Sequence, residues 1–383
     1  AQDCMRLHPD IEVEVTVQPW TGGGYWDKLT TLNATGNAPD IYNMSVAYCW
    51  DYANADWTMN LDPLLRELKK EDYFWDILRD GSLRYPDRHG GLYAFPFGWV
   101  MSLLYYNKNI FDDAGQAYPH KDWDWLMARD VAKKLVRDHD GDGTPEQWGM
   151  PSHSSHEYLD SVVYGWGGAV LDAAQKQSLL DRPKSVEAIQ FLVDLIHVDR
   201  VAPMPGAGPA SMTTNMPMGI GISVGVHHLH VSNPGFDWDV TMVPKGPQER
   251  VIYGGPDSIC ISKFTKHLPE TWRFFKYLIS NERSAQGDLR GRAPISKKVV
   301  LSQEWREWNT PPNNIMVLFE GAPFFRGADF GTTKWMDWRV DAMNAALAPA
   351  FRGTMSVKAA AEDAVLQINN ILNSTECRLC EMP

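Results

Sequence analysis

The stretch that decides the fold runs from Gly90 to Gly115 and has the sequence GGLYAFPFGWVMSLLYYNKNIFDDAG. Its centre, Ser102 to Asn107, predicts a buried strand, because a short run of leucine and aromatic residues is bounded by turn-forming residues. Pro96 and Gly98 predict an irregular approach outside the sheet ladder, since neither residue type supports regular strand pairing. A helix is expected to follow the strand and to end at Gly115.

Composition restricts the class of protein. A chain of 383 residues is too long for one ordinary core and suggests two domains. A hydrophobic content of 44% with 22% charged residues is typical of a globular protein, and no apolar run reaches the roughly 18 residues of a membrane span. A net charge of −12 argues against a nucleic-acid partner, because phosphate binding needs a basic surface.

Aromatic residues are abundant, with 16 Trp, 14 Tyr and 14 Phe. Flat aromatic faces stack on the apolar faces of sugar rings, so this composition suits a carbohydrate site. For any single ring, packing in the core or at an interface is the better interpretation.

Three motifs in and around the central stretch carry a family resemblance: Tyr93-Ala-Phe-Pro96, Leu104-Tyr-Tyr-Asn-Lys108 and Phe111-Asp-Asp-Ala-Gly115. With them the chain resembles the extracellular solute-binding proteins of bacterial ABC importers, specifically carbohydrate-binding family 1. The resemblance implies an α/β, two-lobed periplasmic-binding-protein fold without enzymatic activity. The ligand would lie in the interlobe cleft beside the first crossing, and a hinge motion would close the lobes.

The resemblance extends over residues 8–373 and also implies the domain boundaries. Residues 1–107 with 256–311 would form the N-terminal lobe, 108–255 with 312–373 the C-terminal lobe, and 374–383 a tail. Ala1 to Leu7 is interpreted as the end of a helix, and the alternation of Ile11 to Val17 predicts a strand. The opening strand and helix of the family are expected to be missing.

Candidate ligand contacts follow from the positions of polar and aromatic residues beside the family's ligand segments. They are Trp20, Ser45, Tyr48, Trp99, Trp166, Gly254, Gly255, Arg326 and Trp335. For Ser45, a helix N-cap is as good an explanation as a ligand contact. Trp99 and Trp166 are expected to face each other across the cleft, and the two glycines to let a ligand approach the backbone.

The most specific chemical motif is the acidic loop, residues 138–149, with the sequence DHDGDGTPEQWG. Its alternating aspartates followed by glycine and threonine reproduce the first half of a calcium loop. The twelfth position is Gly149 instead of the bidentate Glu of an EF-hand, and the alternative is an ordinary Asx and glycine turn. The expected ligands of a structural Ca²⁺ are Asp138, Asp140, Asp142, Thr144, Glu146 and Gln147.

Three functions are compared. The preferred one is capture of a di- or oligosaccharide outside the cytoplasm and its delivery to the membrane permease of an ABC importer, by a monomeric protein that is periplasmic, extracellular or anchored as a lipoprotein. The alternatives are a glycoside hydrolase or lyase, which needs a carboxylate pair at fixed separation, and a calcium-dependent lectin. Nothing in the sequence singles out such a pair, and the sequence leaves the sugar and the pairing of the five cysteines open.

Overall fold

The computed structural model describes residues 1–18, 24–73, 84–85, 91–152, 156–207, 212–280, 290–327, 332 and 334–374. The α-helices are α1 (Gln2–Leu7), α2 (Gly24–Ala34), α3 (Val46–Asn54), α4 (Asp62–Leu65), α5 (Lys108–Asp113), α6 (Trp125–Leu135), α7 (His156–Gly165), α8 (Pro183–His197), α9 (Gly225–Ser232), α10 (Leu268–Ser280), α11 (Lys297–Leu301), α12 (Gln303–Trp308), α13 (Val317–Glu320), α14 (Met343–Phe351) and α15 (Val357–Leu372). A π-helix, Met336–Ala342, precedes α14, and 3₁₀ turns cover Lys70–Asp72 and Ala322–Phe324.

The strands are β1 (Ile41–Ser45), β2 (Arg84–Tyr85), β3 (Gly91–Leu92), β4 (Phe95–Asn107), β5 (Met218–Ile222), β6 (Trp238–Met242), β7 (Ile252–Ile261), β8 (Ala293–Pro294) and β9 (Phe325–Gly327). Strands β2 and β3 form a separate two-stranded antiparallel sheet, and the other seven form one sheet. Its described pairs are antiparallel except β7 with β9.

The long strand β4 joins two groups of strands. Its first half lies between β7 and β8, and its second half lies between β5 and β6. The partner changes between Met101, which is opposite Gly254, and Ser102, which is opposite Ile222. This change comes earlier in the chain than the crossing expected near Asn107.

Each half of β4 belongs to a different packing unit. In lobe 1, β1 pairs with the far edge of β7, and α3 packs against both strands. In lobe 2, α7 packs against α8 and β5, and the π-helix packs against α14 and α15. The crossing strand β4 therefore belongs to both lobes, through β7 in lobe 1 and through β5 in lobe 2.

The helix boundaries follow from side-chain caps. Asn107 ends β4 and begins α5, because its Oδ1 accepts hydrogen bonds from the amides of Asn109 (3.0 Å) and Ile110 (3.4 Å). Gly115 follows α5 with a φ of 60°, which confirms the predicted stop. Asp124 caps α6 in the same way, with Oδ1 2.8 Å from the amide of Met127.

Two strand predictions need correction. Pro96 and Gly98 lie inside β4, although the pairing register shifts between them, so the irregularity is a bulge within the ladder. Residues 11–18 form no strand, and Val15 and Val17 are 64% and 83% exposed. Alternation alone does not make a strand, because its backbone groups need a neighbouring strand to pair with. The helix expected at the N-terminus is confirmed as α1.

Candidate functional site

Strands β4 and β7 pair where the chain crosses between the lobes, and Gly254 and Gly255 of β7 lie in this pairing. Here the lack of a side chain in glycine allows close packing of the strands. A Cβ on Gly254 would lie 2.2 Å from the carbonyl oxygen of Val100 and 2.8 Å from the ring of Phe325. Gly255 is buried and pairs with Val100. Protein atoms therefore fill the position of the missing side chain of Gly254, so strand packing requires this glycine, and a ligand contact at either glycine stays a prediction.

Trp99 and Trp166 both occupy packing positions. Trp99 is 6% exposed, and its ring meets the ring of Phe325 edge-on with centroids 4.1 Å apart. Trp166 is 5% exposed and packs against Phe191 of α8 at 4.7 Å. Each indole has its own ring partner, and the described residues show no ring contact between the two. The expectation that they face each other is not met, and packing accounts for both.

Lobe 1 presents a stacked aromatic pair near the start of α3. The ring of Tyr48 lies 4.1 Å from that of Trp26 at an interplanar angle of 20°, and Tyr48 remains partly exposed. Ser45, just before it, is the N-cap of α3, with Oγ 3.3 Å from the amide of Ala47. The cap interpretation of Ser45 is therefore confirmed, whereas a ligand contact stays a prediction.

The opposing wall comes from lobe 2 and consists of the π-helix with the residues just before it. Trp335 is 3% exposed and lies edge-on to Trp338 at 6.4 Å. A buried ion pair between Arg339 of the π-helix and Asp160 of α7 ties this wall to lobe 2. π-helical turns are frequent at functional sites because the extra residue shifts the direction of the side chains.

Electrostatic interactions indicate that residues of the two lobes lie near each other at Tyr48. Burial raises the pKa of the Tyr48 hydroxyl above its ordinary value, and nearby carboxylates raise it further. Those carboxylates are Asp27 and Asp51 from lobe 1 and Asp337 and Asp341 from the π-helix. Tyr48 therefore lies where lobe 1 meets lobe 2.

Asp51 makes a direct contact across the same gap. Its carboxylate accepts a hydrogen bond from the backbone N–H of Lys334. Burial and the nearby Asp337 raise the pKa of Asp51 to about 6, although the hydrogen bond and the Lys334 charge act against that rise. Asp51 stands three residues after Tyr48, so both side chains project from one face of α3.

Arg326 lies on β9, opposite Tyr253 of the crossing strand β7. Its guanidinium carbon is 3.8 Å from the ring centroid of Tyr164 of α7, and the residue is exposed. Stacking on the ring orients the guanidinium plane while its N–H groups remain available as donors.

Comparison with known proteins identifies the family. The family model described as bacterial extracellular solute-binding protein matches residues 1–313. The chain belongs to this family. It is thus a binding protein that acts outside the cytoplasm and not an enzyme, as the resemblance implied.

Relatives of this solute-binding protein include the maltotriose-binding protein of Pyrococcus abyssi, which is 24% identical over 79% of the chain and 64% of that protein. Similar solved structures include an ABC substrate-binding protein of Listeria monocytogenes in complex with cycloalternan, with a TM-score of 0.81 and 20% identity. Maltose-bound MalE3 of T. maritima has a TM-score of 0.76 and 18% identity. Each alignment covers 97% of this chain and 94% of the other, and together they show the two-lobed fold.

None of the helices in the described ranges combines the length and the apolar character needed to cross a membrane. Among the candidate residues, Trp20 lies outside the described part of the chain.

The acidic loop of this solute-binding protein brings three carboxylates together. Oxygens of Asp138, Asp140 and Glu146 lie within 4.8 Å of one another, and all three residues are exposed. Gly141 and Gly143 have φ values of 75° and 89°, as the sharp turn requires.

Two expected ligands of the acidic loop are engaged within the protein. Oδ1 of Asp142 accepts from the amide of Thr144 at 2.7 Å, and Nε2 of Gln147 donates to the carbonyl of Leu135 at 2.5 Å. Backbone amides also donate to Asp138, Asp140 and Glu146, so these hydrogen bonds do not by themselves set Asp142 apart from the three converging carboxylates.

Sequence analysis missed several residues of the facing walls, namely Trp26, Asp27, Asp51, Asp337 and Asp341. For Asp51, helical spacing from Tyr48 was an available signal. For Asp337 and Asp341 no local signal existed, because their relation to Tyr48 arises only when the two lobes pack.

Proposed function

We propose that the solute is a saccharide, held between the lobes beside the crossing strands and handed to the permease of an ABC importer. The protein would act as a monomer, free in the periplasm or anchored at the cell surface. Support comes from the relatives: one is named for maltotriose, and the solved neighbours hold cycloalternan and maltose.

The observation that carries the proposal is the arrangement around Tyr48. Its partly exposed ring is stacked on Trp26, and the charges of Asp337 and Asp341 of lobe 2 lie close enough to raise the pKa of its hydroxyl. A sugar offers an apolar ring face to an aromatic ring and hydroxyl donors to carboxylates, so one ligand would satisfy both walls. Arg326 would add a planar set of donors, whereas Trp335, which is 3% exposed and edge-on to Trp338, occupies a packing position.

Closure of the lobes would follow from this division of contacts. A ligand that touches Tyr48 of lobe 1 and the π-helix of lobe 2 binds the closed arrangement better than the open one, and so shifts the population toward closure. The radius of gyration measured by small-angle scattering should fall when the ligand binds.

The test is calorimetric titration with maltotriose, cycloalternan and raffinose, followed by substitution at Tyr48. Tyr48→Ala should weaken binding of the recognised sugar roughly tenfold, about 1.4 kcal/mol, because the stacked ring is lost. Tyr48→Phe keeps the ring and should bind within about threefold of the parent.

Phe264→Ala is the matched control, because Phe264 is a 38% exposed aromatic of lobe 1 that packs beside Gly36. It should leave affinity unchanged. Equal affinity of Tyr48→Ala and the parent for a tightly bound sugar would exclude Tyr48 from the site. Failure of a broad saccharide library to bind the folded protein would refute the saccharide proposal itself.

We also propose that the acidic loop binds a structural Ca²⁺ through Asp138, Asp140 and Glu146, with Asp142, the Thr144 carbonyl, Gln147 or water completing the shell. Oxygen donors suit this hard cation, and a cation would relieve repulsion among the three carboxylates. At present backbone amides donate to them: Gly141 to Asp138 Oδ1 at 2.8 Å and His139 to Glu146 Oε2 at 2.7 Å. Those bonds also account for the loop as an ordinary acidic turn.

Thermal melting with chelator, and again after calcium is restored, distinguishes a calcium site from an ordinary acidic turn. At a calcium concentration of a hundred times its Kd, binding to the folded chain adds about 2.7 kcal/mol of stability. Asp140→Asn should abolish the response, whereas Asp130→Asn, which removes an exposed carboxylate of α6, should keep it. A melting temperature of the parent that does not respond to calcium would leave the loop as a turn.

A further inference from the structure

A partly exposed ion pair lies at the end of lobe 1 that is next to the crossing. Nε of Arg292 is 2.5 Å from Oδ2 of Asp257, and the two side chains are 20% and 22% exposed. Asp257 lies on β7, three residues after Gly254, and Arg292 directly precedes β8. The pair is therefore neither sealed in the core, as Asp160 and Arg339 are, nor fully in solvent.

Strand register places Asp257 at the carboxyl end of β1. It is opposite Ser45, the last residue of β1, and on its other side it is opposite Gly98 of β4. Residues directly opposite each other in a sheet project from the same face, so Ser45 and Asp257 lie side by side, and Gly98 adds no side chain there. In open α/β sheets, ligands bind beyond the carboxyl ends of strands. The Asp257 carboxylate thus stands where a ligand of lobe 1 is expected.

The same register joins Asp257 to the aromatic pair of the proposed sugar site. Ser45 is the N-cap of α3, and Tyr48, three residues further on, carries the ring that stacks on Trp26. Because Ser45 and Asp257 are paired, their Cα atoms lie about 5 Å apart. The carboxylate of Asp257 and the ring of Tyr48 therefore flank the same residue of lobe 1.

The backbone beside Asp257 is irregular. The register of β4 against β7 shifts between Pro96 and Gly98, so Phe97 is the extra residue of a bulge, and it is partly exposed. Bulges redirect side chains and are frequent beside functional sites. The bulge next to Asp257 supports a binding role for this end of the sheet.

The ion pair leaves one carboxylate oxygen for a ligand. Arg292 occupies Oδ2 of Asp257, whereas none of the residues that the structure describes donates a hydrogen bond to Oδ1. The bond from Nε restricts the rotation of the carboxylate, so the direction of Oδ1 is fixed before a ligand arrives. A carboxylate oxygen is an acceptor only, and its partner must be a donor such as a sugar hydroxyl group.

We propose that Asp257 determines specificity in the sugar site: its Oδ1 accepts a hydrogen bond from one hydroxyl group of the sugar that stacks on Tyr48, and Arg292 is the positioning residue. This inference rests on the proposed function, since it assumes a saccharide between the lobes. The solute must then carry a free hydroxyl group at one position. A sugar in which that hydroxyl is replaced by hydrogen leaves the carboxylate without its donor and is rejected.

The other account of the ion pair is a structural tie between β7 and the segment before β8, and calorimetric titration separates the two accounts. The probe is whichever of maltotriose, cycloalternan and raffinose binds the parent most tightly, with the derivatives of that sugar that each lack one hydroxyl group. One derivative should bind the parent about tenfold to a hundredfold more weakly than the intact sugar, because a hydrogen bond to a charged group is lost. In Asp257→Ala the same derivative and the intact sugar should bind within about twofold of each other.

Conservative variants test the charge and the positioning. Asp257→Asn keeps the shape and a neutral acceptor oxygen, so it should reduce the discrimination against that derivative without abolishing it, and it carries the test if Asp257→Ala does not fold. Arg292→Lys should retain more of the discrimination than Arg292→Gln, which removes the cation. Circular dichroism checks folding, and the ratio of two sugar affinities within one folded variant does not depend on its stability.

The matched control is Asp199→Asn. It breaks another partly exposed ion pair, in which Asp199 is 14% exposed and lies 2.6 Å from Nζ of Lys133, beyond the end of α8 in lobe 2. Both sugar affinities of this variant should match those of the parent.

The outcomes distinguish the two proposals. If no saccharide of a broad library binds the folded parent, the saccharide function fails, and the role of Asp257 fails with it. If a sugar binds but each derivative is weakened by the same factor in the folded Asp257 variants as in the parent, the pair is only a structural tie, and the saccharide function stands. Loss of discrimination against a single derivative in the Asp257 variants, and not in Asp199→Asn, is the result expected of a specificity contact.

Discussion

The buried ion pair between Asp160 and Arg339 should be among the most sensitive positions for stability. Asp160 lies on α7 and Arg339 in the π-helix, and their side chains are 2% and 1% exposed. The guanidinium group also contacts Sδ of Met343. This pair therefore fixes the π-helix, and with it Trp335 and Asp337, to the body of lobe 2.

The size of the effect follows from burial. Asp160→Asn keeps the shape of the side chain but leaves the Arg339 cation without its counter-charge in a place that water does not reach. Breaking a buried pair in this way costs about 3–5 kcal/mol. Arg339→Met should cost a similar amount, because it leaves the Asp160 carboxylate buried without the cation. The double variant Asp160→Leu with Arg339→Met should be much closer to the parent, since apolar replacement removes both charges together.

Urea unfolding followed by circular dichroism measures these free energies. The matched control is Glu187→Gln, which breaks an ion pair with Lys184 whose side chains are 54% and 53% exposed, and it should change stability by less than about 1 kcal/mol. The reasoning is refuted if Asp160→Asn unfolds within about 1 kcal/mol of the parent, or if the double variant is as unstable as either single variant.

Two further predictions concern local packing, and both are checked by thermal or urea unfolding. Gly149→Ala should destabilise by more than about 2 kcal/mol, because its Cβ would lie 2.3 Å from the carbonyl oxygen of Ala132. Gly206→Ala is the control, because no atom lies within 4 Å of its Cβ position but φ is 83°, so it should cost only backbone strain of about 1–2 kcal/mol. Equal losses of stability in the two variants would contradict the clash at Gly149. Ser356→Ala should cost about 1 kcal/mol by removing the acceptor of the Ala359 amide at the start of α15, and Ser356→Thr should retain most of it.

Features that depend on neighbouring residues were predictable from the sequence. The strand through Ser102 to Asn107 and the helix stop at Gly115 follow from run length and turn-forming residues, and the structure confirms both. The cap interpretation of Ser45 rests on the same local chemistry, because a hydroxyl before a helix meets unsatisfied amides whatever the rest of the chain does. The motif order around the central stretch was enough to indicate the family.

Pairing between distant segments was not predictable from local pattern. Ile11 to Val17 has the alternation of a strand but no partner among the described residues, and Trp99 and Trp166 occupy packing positions although they border family ligand segments. Periodicity reports which side chains share a face, but not which faces meet.

The facing walls show this limit most clearly. Tyr48 and Asp51 could be placed on one face of α3 from spacing alone, whereas Lys334 and Asp337 come from the other end of the chain. Their effect on the pKa of Asp51 depends on distance and burial, which arise only when the two lobes pack together. A charge is costly where water is excluded, whereas water screens its effect where it is exposed. The sequence alone therefore determined the family and the local elements, and the tertiary structure decided which carboxylates and rings lie near one another between the lobes.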